Sequence, residues 1–155
     1  MIEIERKFLI SDITCIRQAQ QKYHIVQGYL NRDTKRTVRV RIRDGRGYLT
    51  VKGQSSGDGL SRYEWEKEIS VSEATELLQL CEPYPIAKIR HIVKYKDQEF
   101  EVDEFLEENK GLWIAELELK SVTQSVYRPE WLGKEVTGDQ RYYNSYLSQK
   151  PFSAW

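Results

Sequence analysis

The sequence predicts an α+β fold, mainly antiparallel β, whose strands can close into an eight-stranded barrel with a charged interior and flanking helices. Three observations carry this. Eight segments alternate apolar and polar residues with the period of two that a strand imposes. Short turn-forming stretches join neighbouring segments as hairpins do. The polar positions of these segments are largely ionic and are grouped by sign.

In chain order, Ile2, Ile4 and Phe8 oppose Glu3, Glu5 and Lys7 in the first strand. A weak helix is expected from Ile13 to about Gln20, followed by the strand HIVQGYL, residues 24–30. In TVRVRI, Val38, Val40 and Ile42 oppose Thr37, Arg39 and Arg41, and in YLTVK, Leu49 and Val51 oppose Tyr48, Thr50 and Lys52. Asp44-Gly45-Arg46-Gly47 between these two strands is short enough for a hairpin. The stretch QSSGDGLS, residues 54–61, reads as a loop, because strand alternation resumes beyond it with Arg62, Glu64, Glu66 and Glu68 opposite Tyr63, Trp65 and Ile69. Ala74, Leu77, Leu78 and Cys81 then follow helical spacing, with Ser72 as N-cap and Pro83 beyond the end. Three further strands, PIAKIRHIV, FEVDEF and LWIAELELK, carry Lys88 and Arg90, Glu101 and Asp103, and Glu116 and Glu118 in phase, with Lys96-Asp97 as the hairpin between the first two. A last helix is expected from near Asp139, bearing Tyr142, Tyr143, Tyr146 and Leu147. The phase that exposes charge on one face puts Trp65 and Trp113 on the other, where they and Trp131 are expected to pack against helices.

Length and composition bound the rest. The 155 residues fit one domain, and 39% apolar content is enough for a core. No apolar run approaches the roughly 20 residues that span a bilayer, and the N-terminus is charged from its third residue, which argues against a membrane span or secretory signal. Cys15 and Cys81 lack metal-ligand spacing and His24 and His91 lie far apart, so all four are expected to be structural in a reducing, cytoplasmic setting. The formal charge is zero, but the first 70 residues carry 14 basic and 9 acidic side chains and the remainder 10 and 15. That balance disfavours a globally basic nucleic-acid binder.

If helices and loops cover the apolar strand face, the charged face points into the barrel. Charges in such a lumen must pair, stay hydrated, or neutralise a ligand and its metal ions. An open sheet with one solvated face would also carry Lys, Arg and Glu, without any function. Grouping separates the two: Arg39 stands with Arg41, and Glu116 with Glu118, as if something lies between the groups.

The opening Glu-x-Glu-x-Lys, residues Glu3, Glu5 and Lys7, resembles the CYTH superfamily of triphosphate tunnel metalloenzymes. QGYL, VRVR, TVK, EWE, KIR, VDEF and ELE follow in the family's order, and the similarity extends through WLGKEVTGDQRY, so it covers essentially the whole chain as a single domain, residues 1–155. The resemblance implies an eight-stranded antiparallel tunnel around a triphosphate and divalent metal. It implies Glu3, Glu5, Glu116 and Glu118 as ligands of Mg²⁺ or Mn²⁺, with Asp103 as an additional carboxylate. Lys7, Arg39, Arg41, Lys52, Lys88 and Arg90 are then the triphosphate clamp. Glu5 and Glu118 are expected to help hold the attacking water, Lys7 to reach the terminal phosphate, and Tyr29, if inward, to act from across the tunnel or merely to pack at its rim. Glu64 and Glu66 are expected to support the cations by ion pairing.

The compact chain is most similar to the short bacterial branch that hydrolyses inorganic tripolyphosphate to pyrophosphate and phosphate. A class IV adenylate cyclase, a thiamine or nucleoside triphosphatase, and a polyphosphate or nucleotide sensor without turnover are the alternatives. The expected partner is a small-molecule triphosphate, with no nucleic acid or membrane, on a monomer or homodimer.

Overall fold

A computed structural model describes residues 1–81 and 85–155. Nine strands form: β1 (Ile2–Ile10), β2 (Gln21–Asn31), β3 (Arg36–Arg43), β4 (Arg46–Gly53), β5 (Ser61–Ile69), β6 (Ile86–Tyr95), β7 (Gln98–Phe105), β8 (Trp113–Glu118) and β9 (Leu132–Glu135). The order β5-β4-β3-β2-β6-β7-β8-β1 is antiparallel throughout, and pairing of β5 with β1 through Ile2–Tyr63, Glu3–Arg62 and Ile4–Ser61 closes it into an eight-stranded barrel. Strand β9 was not expected from the sequence. It lies beside the second half of β1, on the edge that β5 pairs with earlier along the strand.

The hairpin between β3 and β4 is tighter than its four-residue turn sequence suggests. Arg43 pairs with Arg46, leaving Asp44 and Gly45 as a two-residue turn, both with positive φ (45° and 80°), which matches strand twist. Helix α1 (Val71–Leu78) starts earlier than expected. Ser70, not Ser72, is its N-cap, because Ser70 and Glu73 close a reciprocal capping box. Pro83 lies outside the described residues. The helix rests on the outer face of β2–β4, where a Cβ on Gly47 would come within 2.8 Å of the Ala74 Cβ. The segment expected to be a helix near Ile13 is a 3₁₀ turn, Ile13–Gln18, capped by Asp12. The C-terminal helix is also shorter than expected: a 3₁₀ turn at Gln140–Tyr142, then α2 (Asn144–Leu147).

Packing is inverted as the strand phase requires. The main apolar core lies outside the barrel, where Phe8, Val93, Phe100, Val102, Ala115 and Leu117 meet Cys15, Leu119, Trp131 and Leu132. Trp131 packs edge-on against Phe100, with ring centroids 5.2 Å apart. Trp113 stacks on His91. Trp65 departs from expectation: it is 42% exposed on the outer wall. A second apolar cluster, Ile86, Phe105, Leu112, Ile114 and Leu147, is formed on the inward phase of β6–β8 and closes one end of the lumen. The interior is therefore charged along part of its length and apolar at this floor. No helix among the described residues is long and apolar enough to cross a membrane.

Candidate active site

Above the apolar floor lies a cavity of about 190 Å³ whose charged lining is seven glutamates and eight Lys or Arg side chains. Every strand contributes through its inward phase except β9. Register sets the neighbours: Glu5 faces Glu118, Lys7 faces Glu116, Glu101 faces Glu116, Tyr29 faces Arg39, and Lys52 faces Glu64. Glu3, Glu5, Lys7, Tyr29, Arg39, Arg41, Lys52, Glu64, Glu66, Lys88, Arg90, Glu116 and Glu118 all line this one space. Tyr29 points inward and is 93% shielded, being 7% exposed.

Asp103 is the exception among the expected site residues. Its carboxylate is fully buried behind the wall, taking hydrogen bonds from Arg90 Nε at 2.7 Å, Arg90 Nη2 at 2.8 Å and Lys88 Nζ at 2.7 Å. Both oxygens are thereby committed to cations. Burial alone would push this carboxyl up, but Arg90 and Lys88 outweigh it and hold it below its ordinary range. Arg90 is also tied to Glu101 at 3.0 Å and lies 3.5 Å from Glu116; Asp103 first, then these two, keep it charged despite burial. Lys88 is less secure: burial, with help from Arg90 and Arg41 and against the pull of Asp103, lowers it to about 7.

The β3 arginines are held differently. Arg39 Nη2 donates to Thr50 Oγ1 (3.1 Å), which itself donates to Glu66; Arg39 also lies 3.5 Å from Glu66. Its Nε is buried without a hydrogen-bond partner among the described residues. Arg41 donates from Nε to the neutral Gln27 Oε1 at 2.8 Å, and burial together with Arg39 and Arg90 lowers it to about 9. Lys52 bridges Glu3 (2.9 Å) and Glu64 (3.4 Å). The ammonium is close to Glu3 Oε2, yet among the described residues that oxygen receives no aligned hydrogen bond. Glu64 and Glu66 thus sit as ion-pair partners of Lys52 and Arg39.

On β1 and β8, burial, then Glu116 and Glu3, push Glu5 up to about 7, against the opposing charges of Lys7 and Lys52. Glu118 is raised by burial and by Glu3, Glu101 and Glu5. Glu116 goes the other way: burial is overridden by Lys7, Arg90 and Lys88, so it stays ionised. Lys7 loses to burial but gains more from Glu116 and Glu5, and its ammonium lies 5.0 Å from the Tyr143 ring centroid. Arg62 approaches the same ring at 5.6 Å.

The donor set suits a hard divalent cation. Like charges directly opposite one another on a sheet repel, and Glu5–Glu118 and Glu101–Glu116 are both such pairs. Among the described residues no three acidic, His or Cys side chains stand ready in coordination geometry, so the fit rests on donor chemistry and on this repulsion.

Several site residues carried no role in the sequence reading. Gln27, Arg62 and Glu101 share the inward phase of Tyr29, Glu64 and Asp103, so alternation alone could have found them. Tyr143, Asn144 and Ser145 reach the lumen from the C-terminal segment, and no local pattern announces that.

Residues 1–145 match the CYTH domain. An inorganic triphosphatase of Acetivibrio thermocellus is 46% identical over 151 residues, covering 97% of this chain and 95% of that protein. An inorganic triphosphatase of Nitrosomonas europaea is 35% identical over 155 residues, covering 96% and 97%. The crystal structure of the inorganic triphosphatase NE1496 superposes with a TM-score of 0.67 at 31% identity, over 94% of this chain and 96% of that one.

Proposed function

Since the chain belongs to the CYTH family, we propose that it is a metal-dependent hydrolase that converts inorganic tripolyphosphate to pyrophosphate and phosphate, acting as a single domain over residues 1–155. The observation that carries this is the cavity itself: a space inside the barrel lined by eight cations, with a buried guanidinium nitrogen of Arg39 that has no hydrogen-bond partner among the described residues. Its lining is almost wholly charged and polar, where sites for organic ligands are mostly apolar, which favours an inorganic chain over a nucleotide. Seven glutamates nearly cancel the eight cations, so a polyanion is best accommodated together with divalent charge.

In this reading Glu3, Glu5, Glu116 and Glu118 hold Mg²⁺ or Mn²⁺, with Asp103 supporting the site as the counter-ion of Lys88 and Arg90. A divalent ion held there would supply positive charge to the phosphates and lower the pKa of the attacking water. The protein's own groups do the rest. Arg39, Arg41 and Arg90 present planar forks to phosphate oxygens, while Lys52 and Lys88 add point charges. Lys7, on the strand that also carries Glu3 and Glu5, donates to the terminal phosphate and stabilises charge as its bond to the leaving pyrophosphate breaks. Glu5 and Glu118 accept hydrogen bonds from the attacking water and orient it toward the terminal phosphate. Tyr29, opposite Arg39 in register, donates its hydroxyl from the facing wall. The two free cysteines accord with a cytoplasmic setting.

The test is turnover of tripolyphosphate, ATP and thiamine triphosphate by purified protein, with Mg²⁺, with Mn²⁺ and with chelator. Phosphate release from tripolyphosphate should exceed the others and should need the metal. Cyclic AMP as the main product from ATP would make the protein a cyclase, and tight binding without turnover under every metal would make it a sensor.

A further inference from the structure

One hydrogen-bonded chain joins the cations of two different walls through uncharged groups. Arg41 Nε donates to Gln27 Oε1 at 2.8 Å, Gln27 Nε2 donates to Asn144 Oδ1 at 2.9 Å, and Lys88 Nζ donates to that same oxygen at 2.9 Å. Guanidinium and ammonium are donors only, so each must meet an amide oxygen. That requirement fixes both amides: Gln27 turns its oxygen to Arg41, which leaves its NH₂ for Asn144, and Asn144 turns its oxygen to Lys88. No other orientation satisfies all three contacts. Gln27 and Lys88 are 0% and 1% exposed, so water does not compete with the chain.

Asn144 is the first residue of α2, outside the barrel strands, and Leu147 three residues on is buried in the apolar floor. The floor therefore anchors the segment that carries Asn144. We infer that Gln27 and Asn144 are positioning residues for triphosphate binding, through which the C-terminal segment sets the placement of Arg41 and Lys88. This rests on the cavity being the triphosphate site. Neutral amides suit the task because they hold Arg41, and give Lys88 a second partner beside its Asp103 ion pair, without adding negative charge that the phosphate must compete with. A carboxylate in either place would hold them as firmly and weaken their attraction for an anion.

The experiment compares wild type with Asn144→Leu, Gln27→Leu, the double variant and Asn144→Asp, reading kcat, KM and Kd for tripolyphosphate together with thermal melting. Loss of a hydrogen bond to a charged group is expected to raise KM and Kd roughly 10-fold in each Leu variant, with kcat changed by less than about threefold. Because both substitutions cut one chain, the double variant should be little worse than either single one. Asn144→Asp keeps an acceptor for both donors and tests the case in which the Leu variants fail to fold: a native-like melt with raised KM, caused by the added negative charge, supports the inference. Folded variants with wild-type KM, or single effects that simply multiply in the double, overturn it. If wild type binds tripolyphosphate without turnover, the hydrolase reading fails, and the Kd values still decide the inference.

Discussion

Replacing Asp103 with Asn separates two roles that this carboxylate can have. In the structure it is a counter-ion, fully buried and hydrogen-bonded three times to Arg90 and Lys88. Removing one partner of a buried ion pair costs about 3–5 kcal/mol, because the remaining charge stays buried. For a chain of this size 1 kcal/mol moves Tm by about 2–4 °C, so the variant should melt about 6–20 °C below wild type without any metal present. Tripolyphosphate supplies negative charge to the same cations and should narrow the gap. The pH dependence has a definite sign. Although burial opposes it, Arg90 and Lys88 hold this carboxyl below its ordinary value of 3.8, so its stabilisation is complete above that value and is lost as pH falls through the lowered one. The difference between wild type and variant should therefore shrink in strong acid. The assay is calorimetric melting of metal-free protein from pH 3 to 8. A metal-free Tm within about 2 °C of wild type, accompanied by lost metal-dependent turnover, would refute the counter-ion role and restore Asp103 as a metal ligand.

Glu5→Gln should trade activity for stability. In metal-free protein burial, Glu116 and Glu3 push Glu5 from 4.5 to about 7, so its favourable contribution is present below 4.5 and is lost as pH rises to about 7. At pH 8 the ionised side chain then costs on the order of 1–3 kcal/mol, and the Gln variant should melt higher there, converge with wild type near pH 4, and show no turnover. A lower Tm for the variant at pH 8 would contradict this. Gly59→Ala tests the loop between β4 and β5: Gly59 has φ +76° and its Cβ would fall 2.3 Å from the Gly138 Cα. Stability should drop by about 1–3 kcal/mol while kcat is kept, and an unchanged Tm would show that the two segments do not need this contact.

The barrel was legible because strand phase is a strong signal when one face is ionic and the other aliphatic. Arg39 and Arg41 against Val38, Val40 and Ile42 leave little choice of side. The same alternation brought thirteen expected side chains to one cavity, but it says nothing of depth behind the wall. Asp103 shares its phase with Glu101, yet only Glu101 reaches the space, because Arg90 and Lys88 close over its neighbour. Strand β9 was illegible for a different reason. Leu132–Glu135 is four residues long and contains Gly133, too little for a periodic signal, and it forms because β1 offers an edge beyond the reach of β5. The N-cap was mistaken where two serines compete, and the Glu73 three residues after Ser70 was the deciding signal. Trp65 was misplaced because phase gives a side, not a neighbour: β5 turns it to the outer wall, where it stays 42% exposed.

The two cationic walls are prepared unequally, and this bears on how an anion is gripped. Arg90 is surrounded by Asp103, Glu101 and Glu116, and so is fixed in place with much of its charge already answered. Arg41 is fixed by a neutral amide, and Arg39 by a threonine hydroxyl plus a longer contact to half-exposed Glu66. Burial without full compensation is unfavourable in the free protein, as the lowering of Arg41 to about 9 reflects. In the proposed reading a bound phosphate oxygen would relieve that penalty at Arg41 on β3 and equally at Lys88 on β6, which burial lowers to about 7, while Arg90 contributes rigidity. Folding energy to carry the cost comes from outside the lumen, from the Phe8–Phe100–Trp131 core and the helix seated on Gly47. The inverted packing thus does more than hide the charges: it places the stabilising contacts in a layer that the ligand never touches, so the lumen can remain electrostatically unsatisfied until a polyanion enters.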